Sequence, residues 1–200
     1  GNGGALQLES LSSTAAVPTW VRQSTFNQNL SASSGGAISN QCQFLGLGST
    51  SLYNNNAISG GGSAVASSGN TRLLNVTTDG HNPTGAAFKS TLYKTYHTMC
   101  GAQPFMLANS IIGGADSCYS PTVGTITSNG GNQYGPQAGG CTILSGIDHW
   151  NADASVFGLS IGNFGGNMPV LGWNNDGLIR PQVDSGVAAN CEFYDVLGRT

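Results

Sequence analysis

The chain has 200 residues, a formal net charge of −3 and only 8% charged residues, against roughly 25% in ordinary soluble proteins. Solubility must therefore rest on hydroxyls, amides and the 31 glycines. The six cations, Arg22, Arg72, Lys89, Lys94, Arg180 and Arg199, are scattered, which excludes nucleic-acid binding through clustered cations, and no apolar run reaches the roughly 20 residues of a membrane span.

A chain of this length buries about 70% of its unfolded surface, so a single domain over residues 1–200 is expected. The neutral surface suits an extracellular or virion-exposed setting. The chain starts at Gly1 rather than Met, which leaves room for a removed upstream segment. Five cysteines (Cys42, Cys100, Cys118, Cys141 and Cys191) form no C-x-x-C motif. Two disulfides with one thiol left over, or five reduced core residues, both remain open. Cys100 and Cys118, which flank one predicted strand and its turn, make the preferred pair. Two sequons, Asn29-Leu-Ser31 and Asn75-Val-Thr77, fit surface loops.

In chain order, residues 5–9 alternate apolar and polar and predict a half-buried strand. Residues 17–26 predict a second strand, with Pro18 at its start or on an edge. Residues 37–46 predict a third, and Asn54-Asn55-Asn56 a turn that tolerates left-handed backbone. The Gly-rich stretch 59–70 reads as a flexible loop. Residues 71–77 predict a strand ended by Asp79-Gly80. Asn82 or Thr84 as cap, Pro83 in the first turn and an apolar stripe of Phe88, Leu92, Tyr96 and Met99 predict one helix near 83–100. Residues 104–112 and 122–127 predict strands. A central hairpin is expected over 140–166, with strands 141–147 and 155–161 around a loop at 148–153. Further strands are expected at 168–173, 178–183 and 187–197.

Roughly ten short strands with regular turn signals predict a mainly β fold, an antiparallel β-sandwich or jelly roll with one inserted helix. No internal repeat stands out, which disfavours a solenoid or propeller. The closing run Cys191-Glu-Phe-Tyr-Asp-Val-Leu-Gly-Arg-Thr200, and the opening Gly4-Ala-Leu-Gln-Leu8, resemble the last and first strands of concanavalin-like and laminin-G-like jelly rolls. Such domains occur in phage tail fibres, virion surface proteins and secreted lectins. The resemblance implies glycan or receptor binding, in some members through calcium.

Binding chemistry concentrates in two segments. His149, Trp150, Asn151 and Asp153 set an indole beside amide, imidazole and carboxylate, and Trp173 with Asn174 and Asn175 repeats the pattern. A sugar ring, with one apolar face and a rim of hydroxyls, suits such a site. Each Trp has an equally simple reading as the cover of a core end. Asp148 and Asp153 are candidate calcium ligands, although an Asx-rich turn is the simpler reading; no other cofactor is expected. His81, His97 and His149 lie too far apart in sequence to mark a zinc site. No P-loop or dinucleotide fingerprint is present. Three functions follow as expectations: a non-enzymatic extracellular or virion attachment protein that assembles with itself or with other surface proteins and contacts glycans; a monomeric lectin-like module; and a secreted hydrolase using Asp148 and His149.

Overall fold

The computed structural model describes residues 2–10, 18–79, 90–114, 116–121, 124–135, 140–142, 147–150, 159–162 and 170–173. The chain winds as a β-solenoid of about four turns. The first turn contributes β1 (Leu6–Glu9), β2 (Pro18–Arg22), β3 (Thr25–Asn27) and β4 (Leu30–Ser31). The second contributes β5 (Ile38–Gln41), β6 (Phe44–Gly48), β7 (Ser51–Tyr53) and β8 (Asn56–Ala57). Next come β9 (Val65–Ser67), β10 (Asn70–Leu74) and β11 (Thr77–Asp79), then β12 (Leu92–Lys94), β13 (Phe105–Ala108) and β14 (Ile111–Ile112). The fifth winding carries β15 (Cys118–Tyr119), β16 (Thr127–Ser128) and β17 (Gln133–Tyr134), and β18 (His149–Trp150) stacks on β17 from the winding after it.

Three parallel sheets run along the molecule. The first is ordered β1-β5-β9-β12-β15, the second β16-β13-β10-β6-β2 and the third β18-β17-β14-β11-β7-β3; a short ladder joins β4 to β8. Outside them, β19 (Leu159–Gly162) and β20 (Val170–Trp173) pair antiparallel.

The corners explain why this sequence winds. At four of the five corners between the second and third sheets only two residues turn the chain, and the first of each pair is left-handed: Gln23 (φ 48°), Ser49 (φ 45°), Asn75 (φ 53°) and Asn109 (φ 47°). Small polar residues tolerate this region best among non-glycines. Each donates its N–H to a carbonyl of the following turn: Gln23 to Gly48 at 3.1 Å, Ser49 to Leu74 at 3.0 Å, Asn75 to Ala108 at 3.1 Å and Asn109 to Gly130 at 3.0 Å. Such a corner swings the next strand onto another face. The chain therefore meets its earlier strands again one turn later, in parallel. Entry to the first sheet uses glycine instead, with Gly3, Gly35 and Gly62 at φ 69°, 71° and 72°. A Cβ on any of the three would run into the carbonyl oxygen three residues on.

The core consists of in-register rows. Leu6, Ile38, Val65, Leu92 and Cys118 pair along the first sheet. Val21, Leu47, Leu73 and Leu107 do so along the second, and Phe26, Leu52, Thr78, Ile112 and Tyr134 along the third. Nearly all are fully buried. The interior also takes polar groups. Asn40 Nδ2 donates to Gln43 O, Ser67 Oγ and Thr71 Oγ1 at 3.1, 3.2 and 3.1 Å. Lys94 points into the corner and donates to Thr125 O at 3.2 Å, and burial holds its ammonium below the ordinary lysine range.

These findings overturn the antiparallel sandwich and jelly roll. Period-two alternation is satisfied equally by stacked parallel turns, and the strands on either side of a two-residue corner enter different sheets, where each pairs in parallel with its neighbours one turn away. The helix near 83–100 is also corrected: residues 80–89 lie outside the described residues, Leu92 is an inward residue of β12, and Tyr96 and Met99 are exposed. The spacing of Leu92, Tyr96 and Met99 is a coincidence of strand and turn. The stretch 59–70 carries β9 and the start of β10. His149 and Trp150, expected in a loop, pair in parallel with Gln133 and Tyr134. The repeat that sequence inspection passes over is real: Gly3-Gly-Ala-Leu6, Gly35-Gly-Ala-Ile38 and Gly62-Ser-Ala-Val65 open successive turns.

Substituting Gly35→Ala should cost about 2–3 kcal/mol in urea unfolding, because it adds a backbone clash to left-handed strain. Gly101→Ala, at φ 66° but with nothing within 4 Å of the new methyl, should cost about 1 kcal/mol. Equal losses at the two positions would refute the corner argument.

Candidate functional site

The outward row of the first sheet is Gln7, Ser39, Ala66, Tyr93 and Tyr119. Its two middle members are small and form a floor, and Tyr93 rises beside them. The Tyr93 ring stacks on Tyr119, with centroids 5.9 Å apart and planes at 13°. On its other side Tyr93 lies over Gly61, where an added Cβ would sit 2.7 Å from the ring. A cavity of about 280 Å³ opens over this floor. One wall comes from Asn2, Ser33 and Ser34 at the corner leading into β5, tied by Gly3 N–H donating to Ser34 O at 3.0 Å.

The opposite wall is an excursion. Two residues separate β5 from β6 and β9 from β10, but residues 95–104 separate β12 from β13. Its start is pinned by Thr95 N–H donating to Ser67 O at 2.8 Å, and Thr95, Tyr96 and His97 face the cavity. The excursion then turns tightly, with Gly101 N–H donating to His97 O at 2.9 Å. It folds back along the solenoid, so that Cys100 is disulfide-bonded to Cys42 of the second turn, with Cα atoms 5.5 Å apart. A second disulfide joins Cys118 to Cys141. The expected Cys100–Cys118 pair is thus corrected: each bonds a partner brought near by winding rather than by sequence proximity. Cys191 lies outside the described residues.

Among the described residues, no Asp, Glu, Lys or Arg lines the cavity. Hydroxyls, amides and the tyrosines supply its chemistry. Asn40 borders it, and Asn40 Oδ1 is a buried acceptor with no hydrogen-bond partner among the described residues. Such an acceptor costs free energy until a donor reaches it. A ligand offering several hydroxyls and an apolar face matches this arrangement.

The residues singled out from sequence lie elsewhere. Asp148 is buried, and its Oδ1 accepts the N–H of Asn132 at 2.9 Å and Asn132 Nδ2 at 3.3 Å. Asn132 is itself an internal node, donating to Ser128 Oγ at 2.8 Å and accepting Ser110 N–H at 3.0 Å. Tyr134 sits in the same interior, and burial, reinforced by the Asp148 carboxylate, raises its phenol well above the ordinary tyrosine range. His149 is exposed on β18. Trp150 continues the register of the Phe26–Tyr134 row, and Trp173 pairs with Leu159 in β20. Asn151, Asp153, Asn174 and Asn175 lie outside the described residues, as do residues 174–200, which carry the jelly-roll-like closing run. The sequence also holds one Gly-x-Ser-x-Gly string, residues 158–162; Ser160 lies within β19 opposite Gly172, not on the strand-to-helix turn that a hydrolase nucleophile needs. The groove itself was missed. Its signal is the 27-residue spacing of Ser39, Ala66 and Tyr93, visible only once the turn length is known.

Comparison with protein-family models, with curated proteins and with solved structures gives no match.

Asp148→Ala should lower stability by about 1–3 kcal/mol in chemical unfolding, since it strands the buried Asn132 N–H. A loss below a few tenths of that would show the carboxylate to be dispensable. Cys42→Ser should cost about 2–4 kcal/mol and make residues 95–104 the first site of limited proteolysis; cleavage elsewhere first would show that the disulfide does not hold that wall.

Proposed function

We propose that the chain is an extracellular attachment protein whose solenoid presents the first-sheet groove to a neutral glycan. The observation that carries this reading is the stacked Tyr93–Tyr119 pair beside a cavity of about 280 Å³ lined without a charged Asp, Glu, Lys or Arg side chain. That volume is near the low end of the roughly 300–1,000 Å³ of small-molecule sites, the scale of one or two sugar rings. Tyr93 offers the apolar face of a pyranose a platform. Ser33, Ser34 and Thr95 offer its hydroxyls partners. Glycoside hydrolysis needs two placed acids, and the groove supplies none, so the reading is retention rather than cleavage. Two disulfides support an oxidising setting outside the cell.

Assembly with copies or partners has its own support on the second sheet. There Trp20, 38% exposed, lies across Gly46 and 5.6 Å from Phe44. Arg22 covers Trp20 at 4.5 Å and Arg72 approaches Phe44 at 5.7 Å. Exposed Trp and Arg on one flat face are typical of contact surfaces.

A glycan array followed by calorimetry on a hit tests the groove. Tyr93→Ala should weaken binding about 10-fold, the worth of one aromatic contact, while leaving the thermal midpoint nearly unchanged. Gly61→Val should weaken it as well by displacing the same ring. No neutral glycan bound, or full affinity in both variants, would end this reading.

A further inference from the structure

The turn that closes the groove's far wall brings two metal-ligating side chains, His97 and Cys100, to a third that is distant in sequence, Cys42. Cys42, His97 and Cys100 each offer one ligand atom, and these atoms lie within 4.8 Å of one another. All three residues are half-buried. We propose that this corner is a redox-selected site for a soft divalent cation of the zinc(II) class: a disulfide when oxidised, a thiolate–imidazole metal site when reduced.

The local sequence builds the site. Cys42 takes a left-handed conformation at φ 60° in the two-residue corner between β5 and β6. His97-Thr-Met-Cys100 forms an H-x-x-C loop closed on one carbonyl, His97 O, which accepts the N–H of Cys100 at 3.3 Å and of Gly101 at 2.9 Å. The imidazole is oriented by Met99 N–H, which donates to Nδ1 at 3.3 Å. Nδ1 thus carries the lone pair, and this long bond is the one a metal would displace. Cys100 Sγ lies 3.5 Å from Ser68 O, a backbone acceptor beside the sulfur.

The chemistry balances. A dithiol reductant passes two electrons to the Cys42–Cys100 bond, two protons arrive to give two thiols, and the reductant leaves as its cyclic disulfide. A divalent cation then displaces both thiol protons, so two thiolates neutralise its charge in a half-buried corner. Thiolate and imidazole donors favour zinc over the hard cations calcium and magnesium. Three protein ligands leave a fourth position open, and His97 also lines the groove, so water or a ligand atom on that side can complete a tetrahedron.

The full chain, reduced with dithiothreitol and then freed of it under anaerobic conditions, would be titrated with cobalt(II) as a spectroscopic probe and then with zinc(II). The expected result is one cobalt per chain with tetrahedral thiolate bands, displaced by zinc, and none in the oxidised chain. His97→Ala and Cys42→Ser should each weaken binding on the order of 100-fold, while His97→Cys should retain it; Cys191→Ser should bind as the parent does. The proposal is overturned by no stoichiometric cobalt in the reduced chain, by equal affinity in His97→Ala, by undiminished binding in Cys42→Ser, or by loss of the β-sheet circular dichroism on reduction that metal does not restore.

Discussion

The fold depends on a single backbone manoeuvre repeated at one edge of the molecule. A residue in the left-handed region, followed by one inward or half-buried residue, turns the chain from the second sheet to the third. Its N–H then bonds to the next turn rather than to its own. Gln23, Ser49, Asn75 and Asn109 occupy this column. The conformation is costly for any side chain with a Cβ, but each turn makes the hydrogen bond that holds the next, so the strain and its compensation are shared along the stack. Without that column the short strands, many of two or three residues, would have nothing to set their register.

Once the corners fix the inner rows, the outer rows and the connections are free to vary. The solenoid uses that freedom unevenly. The connections from β5 to β6 and from β9 to β10 take two residues, whereas the excursion at 95–104 builds a wall. The floor beneath it is made of small residues, Ser39 and Ala66, because a larger side chain there would fill the cavity. Shape at the groove thus comes from one insertion and two small side chains on a scaffold otherwise given over to stacking. The Cys42–Cys100 bond reaches from the fourth winding back to the second, which ties the insertion to the corner between β5 and β6.

The positions of many strands are legible in the sequence. Residues 37–46, 71–77 and 104–112 read as single strands, and each overlaps two strands of the structure on either side of a corner: β5 and β6, β10 and β11, β13 and β14. Their direction is not legible, because alternation reports only that one face is buried. The repeat could have supplied it. Corner residues recur at intervals of 26, 26 and 34, but they are Gln, Ser, Asn and Asn, alike in conformational tolerance and not in letter. The insertion at 95–104 then breaks the period where it might have become plain. For the same reason the two tryptophan segments drew notice while Tyr93 did not. Clustering of chemistry along the chain is visible in a sequence, but clustering across turns requires the period first. The reading of Asp148 as a metal ligand rested on composition, and its hydrogen bonds to Asn132 belong to a partner sixteen residues away.

Parallel, in-register stacking also accounts for the composition. Each side chain has its counterpart from the neighbouring turn about 4.8 Å above or below, and like charges at that spacing repel. Ladders of serine, threonine, asparagine or glycine carry no such penalty. On the outward face of the second sheet, Arg22 and Arg72 sit on strands separated by β6, and the positions facing them there are Gly48 and Gly46. A coil of this kind can therefore lengthen by copying its own turns without building up an electrostatic column, and its scarcity of ions is the condition for that growth.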